Sequence, residues 1–218
     1  KINTFRKELN RVYTSLSPEK VLVFFLLIIT SIILFFAAFV FFNKRFLITV
    51  PTYGGEIREG ILGTPRFINP VLASSEQDKD LTSLVFAGLT KRDETGAIIL
   101  DIAENITESE DGLQYVATLK GTARFHDGEP VTVDDIIYTI NIVQNPLIKS
   151  PHRVEWEGVT IEKNSDTQVT FTLKKPFPLF MNTLSLGILP KHIWKNLTED
   201  QISLSDFNIH AIGSGPYI

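Results

Sequence analysis

The stretch from Tyr115 to Ile140, YVATLKGTARFHDGEPVTVDDIIYTI, combines the signals of a strand, a tight turn and a helix. Asp127-Gly128 is a turn signal, because glycine tolerates a positive φ and aspartate can hydrogen-bond its own backbone. Before this turn, apolar residues stand at every second position, which is the period of a strand with one buried face. They are Leu113, Tyr115, Ala117 and Leu119.

A helix is predicted directly after this turn. Pro130 has no N–H and stops strand pairing, and Thr132 followed by Asp135 is typical of an N-cap with an acidic partner. Asn145-Pro146 ends the helical run. We interpret Asp134-Asp135 as negative charge at a helix N-terminus and not as a catalytic carboxylate pair. The helix carries Ile136, Ile137 and Ile140 at helical spacing.

Residues on both sides of this stretch predict a mixed α/β fold. Gly158–Lys163 and Gln168–Lys174 form a predicted hairpin, with Val169, Phe171 and Leu173 facing inward. Further predicted elements are a strand over Glu56–Leu62, a helix over Asp78–Leu89, a strand and turn over Ala97–Ile106, and short helices over Pro178–Leu184 and Pro190–Asn196.

Near the start of the chain, Val21–Phe42 is a run of 22 residues without a charge. A helix of that length spans the ~30 Å hydrocarbon core of a bilayer. A cleaved signal peptide is the alternative, but its apolar core is shorter and it ends in small residues. We therefore expect an uncleaved signal anchor, with the N-terminus in the cytoplasm because more basic residues precede the span than follow it.

Composition excludes several classes of function. Residues 1–50 hold seven Lys/Arg and two Asp/Glu, whereas residues 51–218 hold fourteen and twenty-three, so the part beyond the span is acidic. An acidic domain lacks the basic footprint of a nucleic-acid-binding protein. Cysteine is absent, the four histidines have no metal-ligand spacing, and no nucleophile elbow or phosphate loop occurs. We predict no enzyme activity, no metal site and no cofactor, and we interpret His126-Asp127 as part of a structural turn.

Residues 119–135 read Leu-Lys-x-x-x-x-Phe-His-Asp-Gly-x-Pro-Val-Thr-x-x-Asp, which closely resembles family 5 of the extracellular solute-binding proteins. Val133 stands where that family usually has alanine. Several further motifs follow in the family's order. They include Ile68-Asn69-Pro70, Phe86-Ala87-Gly88-Leu89, Lys175-Pro176-Phe177-Pro178, Leu189-Pro190-Lys191-His192 and Gly213-Ser214-Gly215-Pro216-Tyr217.

The resemblance implies the fold and the role of the chain. The expected fold is an incomplete lobe I of the type II periplasmic-binding-protein class, preceded by one transmembrane helix. The expected function is that of a membrane-anchored, extracytoplasmic substrate receptor of an ABC importer, which binds oligopeptides between two lobes and docks on a permease and its ATPase. The expected divisions are a cytoplasmic tail (1–20), the signal anchor (21–42), a linker (43–53) and a truncated N-terminal lobe (54–218).

The resemblance also suggests where ligand binds. In the family, an extended segment after the Asp-Pro turn pairs with the backbone of the ligand, and it corresponds here to Ala73 with Ser74, Ser75 and Glu76. The alternative for this segment is a solvated loop in which Ser74 or Ser75 caps a helix. His152 matches a position that carries an aromatic pocket residue in peptide-binding members.

Two other functions stay open at the level of sequence. One is a ligand-sensing or accessory domain of the same fold. The other is a receptor for a nickel chelate or another small solute. Because family members are about twice as long and continue into a second lobe, we expect that the residues deciding the ligand lie partly outside this chain.

Overall fold

The structure of the chain is a computed structural model that describes residues 17–46, 60 and 62–218. It divides into two compact units, residues 1–58 and residues 59–218. The strand predicted over Glu56–Leu62 lies outside the described residues except for Gly60 and Leu62, neither of which is in a strand. The helices are α1 (Pro18–Phe46), α2 (Glu76–Val85), α3 (Val133–Gln144), α4 (Phe180–Thr183), α5 (Lys191–Trp194) and α6 (Glu199–Leu204).

Helix α1 contains the apolar run near the start of the chain. Glu19–Phe42, 24 residues, is long and apolar enough to cross a membrane by length and composition. Its large apolar side chains are exposed along the whole run. A soluble protein does not normally expose so wide an apolar surface, so the helix suits a lipid environment.

The larger unit is built on antiparallel sheet. Among the described residues, one sheet has two strands, and another has four strands paired in the order third, fourth, sixth, fifth. In chain order the strands are β1 (Thr90–Arg92), β2 (Ile98–Leu100), β3 (Ala103–Glu108), β4 (Gln114–Leu119), β5 (Thr160–Lys163) and β6 (Gln168–Thr172).

The four-stranded sheet confirms the predicted hairpin and its alternation. Tyr115 on β4 lies opposite Phe171 on β6, and both side chains are buried. The ring of Phe180 packs against both, with centroid distances of 4.8 Å to Tyr115 and 5.9 Å to Phe171. One face of the sheet therefore forms the core, and Val169 and Leu173 are buried on the same side as predicted.

Helix α3 begins with the predicted cap. The Asp135 carboxylate accepts hydrogen bonds from Thr132 N at 2.8 Å and from Thr132 Oγ1 at 2.7 Å. Its other oxygen accepts from Lys191 N at 2.8 Å, which ties the start of α5 to α3. Ile136 and Ile140 are buried beneath. The helix is thus held at its N-terminus by the pair of residues that the sequence pattern indicated.

Helix α2 ends four residues earlier than predicted. The sequence pattern extended it from Asp78 to Leu89, but it spans Glu76–Val85, and Phe86 is already extended. The carbonyl of Val85 accepts from Gly215 N at 2.8 Å, and the carbonyl of Leu84 accepts from Tyr217 N at 3.2 Å. A segment distant in sequence thus satisfies carbonyls that a continuing helix would have used.

Helix α6 was not predicted, although its cap is readable. Thr198 precedes the helix, and the side chain of Gln201 accepts a hydrogen bond from Thr198 N at 2.9 Å. The helix spans only six residues, Glu199–Leu204, and buries one side chain, Ile202. Such a short helix offers too little apolar periodicity to be distinguished from a loop.

Candidate functional site

The turn around Asn69 positions the segment that the sequence marks for ligand contact. The side-chain oxygen of Asn69 accepts a hydrogen bond from Val71 N at 2.9 Å, and its backbone carbonyl accepts one from Ala73 N at 2.9 Å. The Asn69 amide also donates to Asn208 Oδ1 at 2.9 Å within the buried core. Because buried amides are costly to leave unpaired, this link fixes the path of the chain into residues 73–76.

Ser74, Ser75 and Glu76 lie at the start of helix α2. Ser75 is its N-cap, and its hydroxyl accepts from Asp78 N at 3.1 Å. Ser74 is exposed, and Glu76 pairs with Lys79 at 2.9 Å on the surface. Within the described part of the chain, the backbone N–H groups of Ser74 and Ser75 donate no hydrogen bond. The structure thus shows the capping role of Ser75, whereas ligand contact by this segment stays a prediction.

Asp78 holds this helix start against the preceding chain. Its buried carboxylate accepts from Arg66 N at 2.7 Å and from Phe67 N at 3.1 Å. Burial opposes the charged form, but these hydrogen bonds and those from Ser75 outweigh it, so the pKa of Asp78 lies below its ordinary value. The carboxylate is therefore charged and bonded at neutral pH, and it keeps Ala73–Glu76, called the edge segment below, in place.

A cleft of about 180 Å³ opens beside the edge segment. It joins three parts of the chain that are far apart in sequence: residues 70–86, the turn at His152–Glu155, and residues 182–187. Its size exceeds that of a few water molecules and falls below the 300–1,000 Å³ of sites that enclose a whole ligand. The lining residues are Pro70, Ala73, Lys79, Thr82, Ser83, Phe86, His152, Glu155, Asn182, Thr183, Ser185, Leu186 and Gly187.

His152 lines this cleft, whereas Ser74, Ser75 and Glu76 do not, although in sequence they lie between the lining residues Ala73 and Lys79. The His152 Nδ1 atom lies 3.5 Å from Glu155 Oε2. Ser150 connects the two regions, because its hydroxyl donates to Val71 O at 2.7 Å and accepts from His152 N at 3.3 Å. The structure thus brings His152 to the neighbourhood of the edge segment.

Sequence reasoning missed Thr82, Asn182 and Ser185 as cleft residues. Each stands alone in the sequence and belongs to no motif, and only the packing of distant segments brings them together. Within the described residues, the Thr82 hydroxyl is buried without a hydrogen-bond partner. Such a group is uncommon in folded proteins and is a signal that only a structure can supply.

A larger hollow of about 520 Å³ lies on the other side of the Arg153–Trp156 turn and shares Glu155 with the cleft. Val154, Phe177 and Phe180 give it a largely apolar lining. None of its described lining residues is a buried polar group without a partner. The smaller cleft is therefore the stronger candidate for ligand recognition.

His126 and Asp127 form a structural turn, as predicted. Gly128 has a φ of 93°, and Glu129 N donates to Asp127 Oδ1 at 3.1 Å. His126 Nδ1 accepts from Gly213 N at 3.3 Å, so the ring proton lies on Nε2, which donates to Gly215 O at 3.0 Å. His126 therefore holds the Gly213–Gly215 segment and does not take part in the cleft.

Asp127 and His192 meet although they are 65 residues apart, with Oδ2 and Nε2 separated by 2.8 Å. Burial opposes ionisation, but the hydrogen bonds from His192 and Glu129 N dominate and lower the pKa of Asp127. Among the described residues, no group of three or more His, Cys, Asp or Glu is placed to hold a metal ion. This pair therefore links the turn to α5.

Fold and cleft together define a ligand-binding domain of the mixed α/β class. The family profile of bacterial extracellular solute-binding proteins, family 5, matches residues 97–218. The chain belongs to this family. The family consists of extracellular receptors for solutes, which agrees with the prediction that the chain is not part of an enzyme.

Individual relatives support the assignment. The chain is 33% identical over 171 residues to the oligopeptide-binding protein AppA of Bacillus subtilis (strain 168), an alignment that covers 77% of this chain and 32% of AppA. The solved structure of AppA from Bacillus subtilis with a nonapeptide has a TM-score of 0.67 and 32% identity, covering 72% of this chain and 32% of that chain.

A second solved structure is NikZ from Campylobacter jejuni in complex with Ni(L-His). It has a TM-score of 0.65 and 35% identity, covering 71% of this chain and 30% of NikZ. The chain thus spans about a third of the length of the relatives that it matches. It covers part of one lobe of the binding-protein fold, which confirms the predicted fold class.

Proposed function

We propose that this chain is part of the substrate-binding component of an ABC importer, that it is anchored in the membrane by α1, and that it binds oligopeptides between two lobes. The observation that carries the proposal is the segment at Ser74 and Ser75, whose backbone N–H groups are unpaired among the described residues and which lies between the cleft-lining residues Ala73 and Lys79. A peptide backbone can pair with such an edge whatever its side chains are.

Recognition would be divided between two kinds of contact. The backbone N–H group of residue 74 or that of residue 75 would pair with the peptide main chain, and Glu76 would lie next to it in sequence. His152 would contact one peptide side chain from within the cleft, where it is half-buried. Affinity would then come from the main chain, and selectivity from the cleft and from the second lobe.

Anchoring would follow from the apolar helix. Residues 21–42 would span the bilayer, residues 1–20 would lie in the cytoplasm, and residues 54–218 would lie on the extracytoplasmic side, joined by residues 43–53. The charge pattern supports this orientation, because five basic residues precede the span and two follow it closely. Tethering would keep the receptor close to its permease and raise its effective concentration there.

Peptide binding can be tested on the full-length gene product. Peptides of increasing length are titrated against its extracytoplasmic part by calorimetry, and the Tm is followed in parallel. A ligand at about a hundredfold excess over Kd adds about 2.7 kcal/mol to the free energy of unfolding, which raises the Tm by several degrees. Absence of heat and of any Tm shift across the peptides would reject the proposal.

A nickel chelate is the second candidate ligand. The similarity to NikZ, solved with Ni(L-His), favours it, because identity to NikZ is comparable with identity to AppA. The same titration with nickel and histidine together, and with each alone, separates the two functions. Tight binding of the chelate with no binding of any peptide would establish the second function in place of the first.

A further inference from the structure

Two buried threonines occupy comparable places in two helices, but only one of them is bonded. Thr139 in α3 donates its hydroxyl to Asp135 O at 2.7 Å and accepts from Leu189 N at 2.9 Å. Thr82 in α2 is 7% exposed, and its hydroxyl has no partner among the described residues. A threonine inside a helix ordinarily bonds the carbonyl four residues earlier, as Thr139 does.

The unpaired hydroxyl of Thr82 is a cost to the fold. Leaving a buried polar group without a partner costs about 1–3 kcal/mol, whereas a valine of the same shape would avoid this penalty. Packing alone therefore does not explain a threonine at this position. Thr82 lines the cleft, together with Asn182 and Ser185, so a ligand group in the cleft can supply the missing partner.

The Thr82 hydroxyl is also free to turn. Threonine in a helix divides between two χ1 rotamers, and rotation exchanges its methyl and hydroxyl positions. In Thr139 that rotation would break two hydrogen bonds, but in Thr82 it breaks none among the described residues. The Thr82 Oγ1 atom is buried in the structure, so a ligand group in the cleft would meet it only after such a rotation, which no described hydrogen bond opposes.

We propose that Thr82 is a specificity-determining residue of the cleft, and that the cleft accepts one small, uncharged, hydrogen-bonding side chain of the bound peptide. The inference rests on the peptide-binding function proposed above. The cleft volume of about 180 Å³ suits a single side chain. Lys79 and Glu155 line it with opposite charges, so neither sign of ligand charge is favoured overall.

The test compares three forms of the full-length gene product: wild type, Thr82→Val and Thr139→Val. Each is titrated with alanine-based peptides that carry one threonine or one valine at a single position, moved along the peptide. At one position we expect the wild type to prefer threonine about fivefold to tenfold, as one added hydrogen bond allows. Thr82→Val should abolish that preference, and Thr139→Val should keep it.

Thermal unfolding without peptide provides a second measurement. Thr82→Val should leave the Tm unchanged or raise it, whereas Thr139→Val should lower it. A Tm loss in Thr82→Val as large as in Thr139→Val would show that the Thr82 hydroxyl is structural, and it would overturn the inference. Unchanged threonine preference in Thr82→Val, or equal wild-type affinity at every position, would overturn it as well.

These outcomes are distinguishable from failure of the proposed function. If the wild type binds the peptides but does not discriminate among them, the peptide-binding function stands and the role of Thr82 is rejected. Wild type that binds none of them rejects peptide binding, and with it the role of Thr82.

Discussion

Helices α2 and α3 belong to the same compact unit but differ in how their polar groups are satisfied. In α3, Asp135 and Thr139 bond partners inside the helix and in the segment at residues 189–191. In α2, the last carbonyls depend on residues 215–217, and the hydroxyl of Thr82 has no described partner. Helix α3, whose Asp135 and Thr139 are bonded within the domain, is scaffold. Helix α2 carries the unbonded hydroxyl of Thr82, a residue that lines the cleft.

Gly213→Ala tests the dependence of α2 on the distant segment, and we expect the largest effect from it. A Cβ at Gly213 would lie 2.0 Å from Val85 O, closer than any real contact. Because backbone atoms form the obstacle, the segment has to move away, at a cost of about 3 kcal/mol or more. Hydrogen exchange should show faster opening of the last turn of α2.

Gly121→Ala is the matched control, since nothing lies within 4 Å of the added Cβ. We expect it to leave both the free energy of unfolding and the exchange of α2 unchanged. Equal behaviour of the two variants would contradict the close packing of Gly213 on α2.

Asp135→Ala tests the hydrogen bonds at the N-terminus of α3. It removes the acceptor for Thr132 N, Thr132 Oγ1 and Lys191 N, so we expect a loss of about 2–3 kcal/mol in denaturant unfolding. Asp134→Ala changes the neighbouring carboxylate, which pairs with Lys163 at the surface, and it should cost less than about 1 kcal/mol. Similar losses of stability in both variants would show that α3 is stabilised by negative charge at its N-terminus and not by the hydrogen bonds of the cap.

Asp78 makes the start of α2 sensitive to acid. Because the pKa of Asp78 is lowered in the fold, its stabilising contribution is present above the ordinary carboxyl pKa of about 4 and is lost as pH falls through the lowered value. The stability difference between wild type and Asp78→Asn, about 2 kcal/mol near neutral pH, should therefore shrink in acid.

The measurement for Asp78 is denaturant unfolding at a series of pH values. Asp80→Asn, which removes an exposed carboxylate from the same helix, is the control and should cost little stability near neutral pH. A stability difference for Asp78→Asn that stays constant into acid would contradict the lowered pKa.

The smallest effects are expected at the edge segment, where Ser75→Ala and Ser74→Ala form a matched pair. Ser75→Ala removes the N-cap of α2 and should cost about 1 kcal/mol, whereas Ser74→Ala should leave stability unchanged. If the edge pairs with peptide through its backbone, Ser74→Ala should also keep peptide affinity. A large loss of affinity in Ser74→Ala would indicate side-chain recognition instead.

Sequence alone predicted the parts of the fold in which cause and effect are local. The cap of α3, the turn at Asp127-Gly128 and the inward residues of β6 all depend on neighbours within a few positions. The predicted end of α2 was wrong. The backbone N–H groups of Gly215 and Tyr217, about 130 residues away, donate to the carbonyls that a further helical turn would have used. No periodicity in the helix itself carries that information.

The candidate site, too, was predictable from the sequence only in part. The resemblance placed His152 and the edge segment, and the structure brings them beside one cleft through the bond of Ser150 to Val71. The contribution of Thr82 was not predictable, because a threonine in an amphipathic helix looks the same whether or not its hydroxyl is bonded. Ligand contact by Ser74, Ser75, Glu76 and His152 stays a prediction.

The contact of Gly213–Tyr217 with α2 has a consequence for biogenesis. Chains are synthesised and exported from the N-terminus, so α2 emerges long before the residues that complete its last turn. These contacts of α2 cannot form until about residue 217 is available, and the contact of His126 with Gly213 and Gly215 is delayed in the same way. Contacts between residues so far apart in sequence slow folding in general. Chaperones that act on the emerging chain would therefore meet this domain with α2 unfinished.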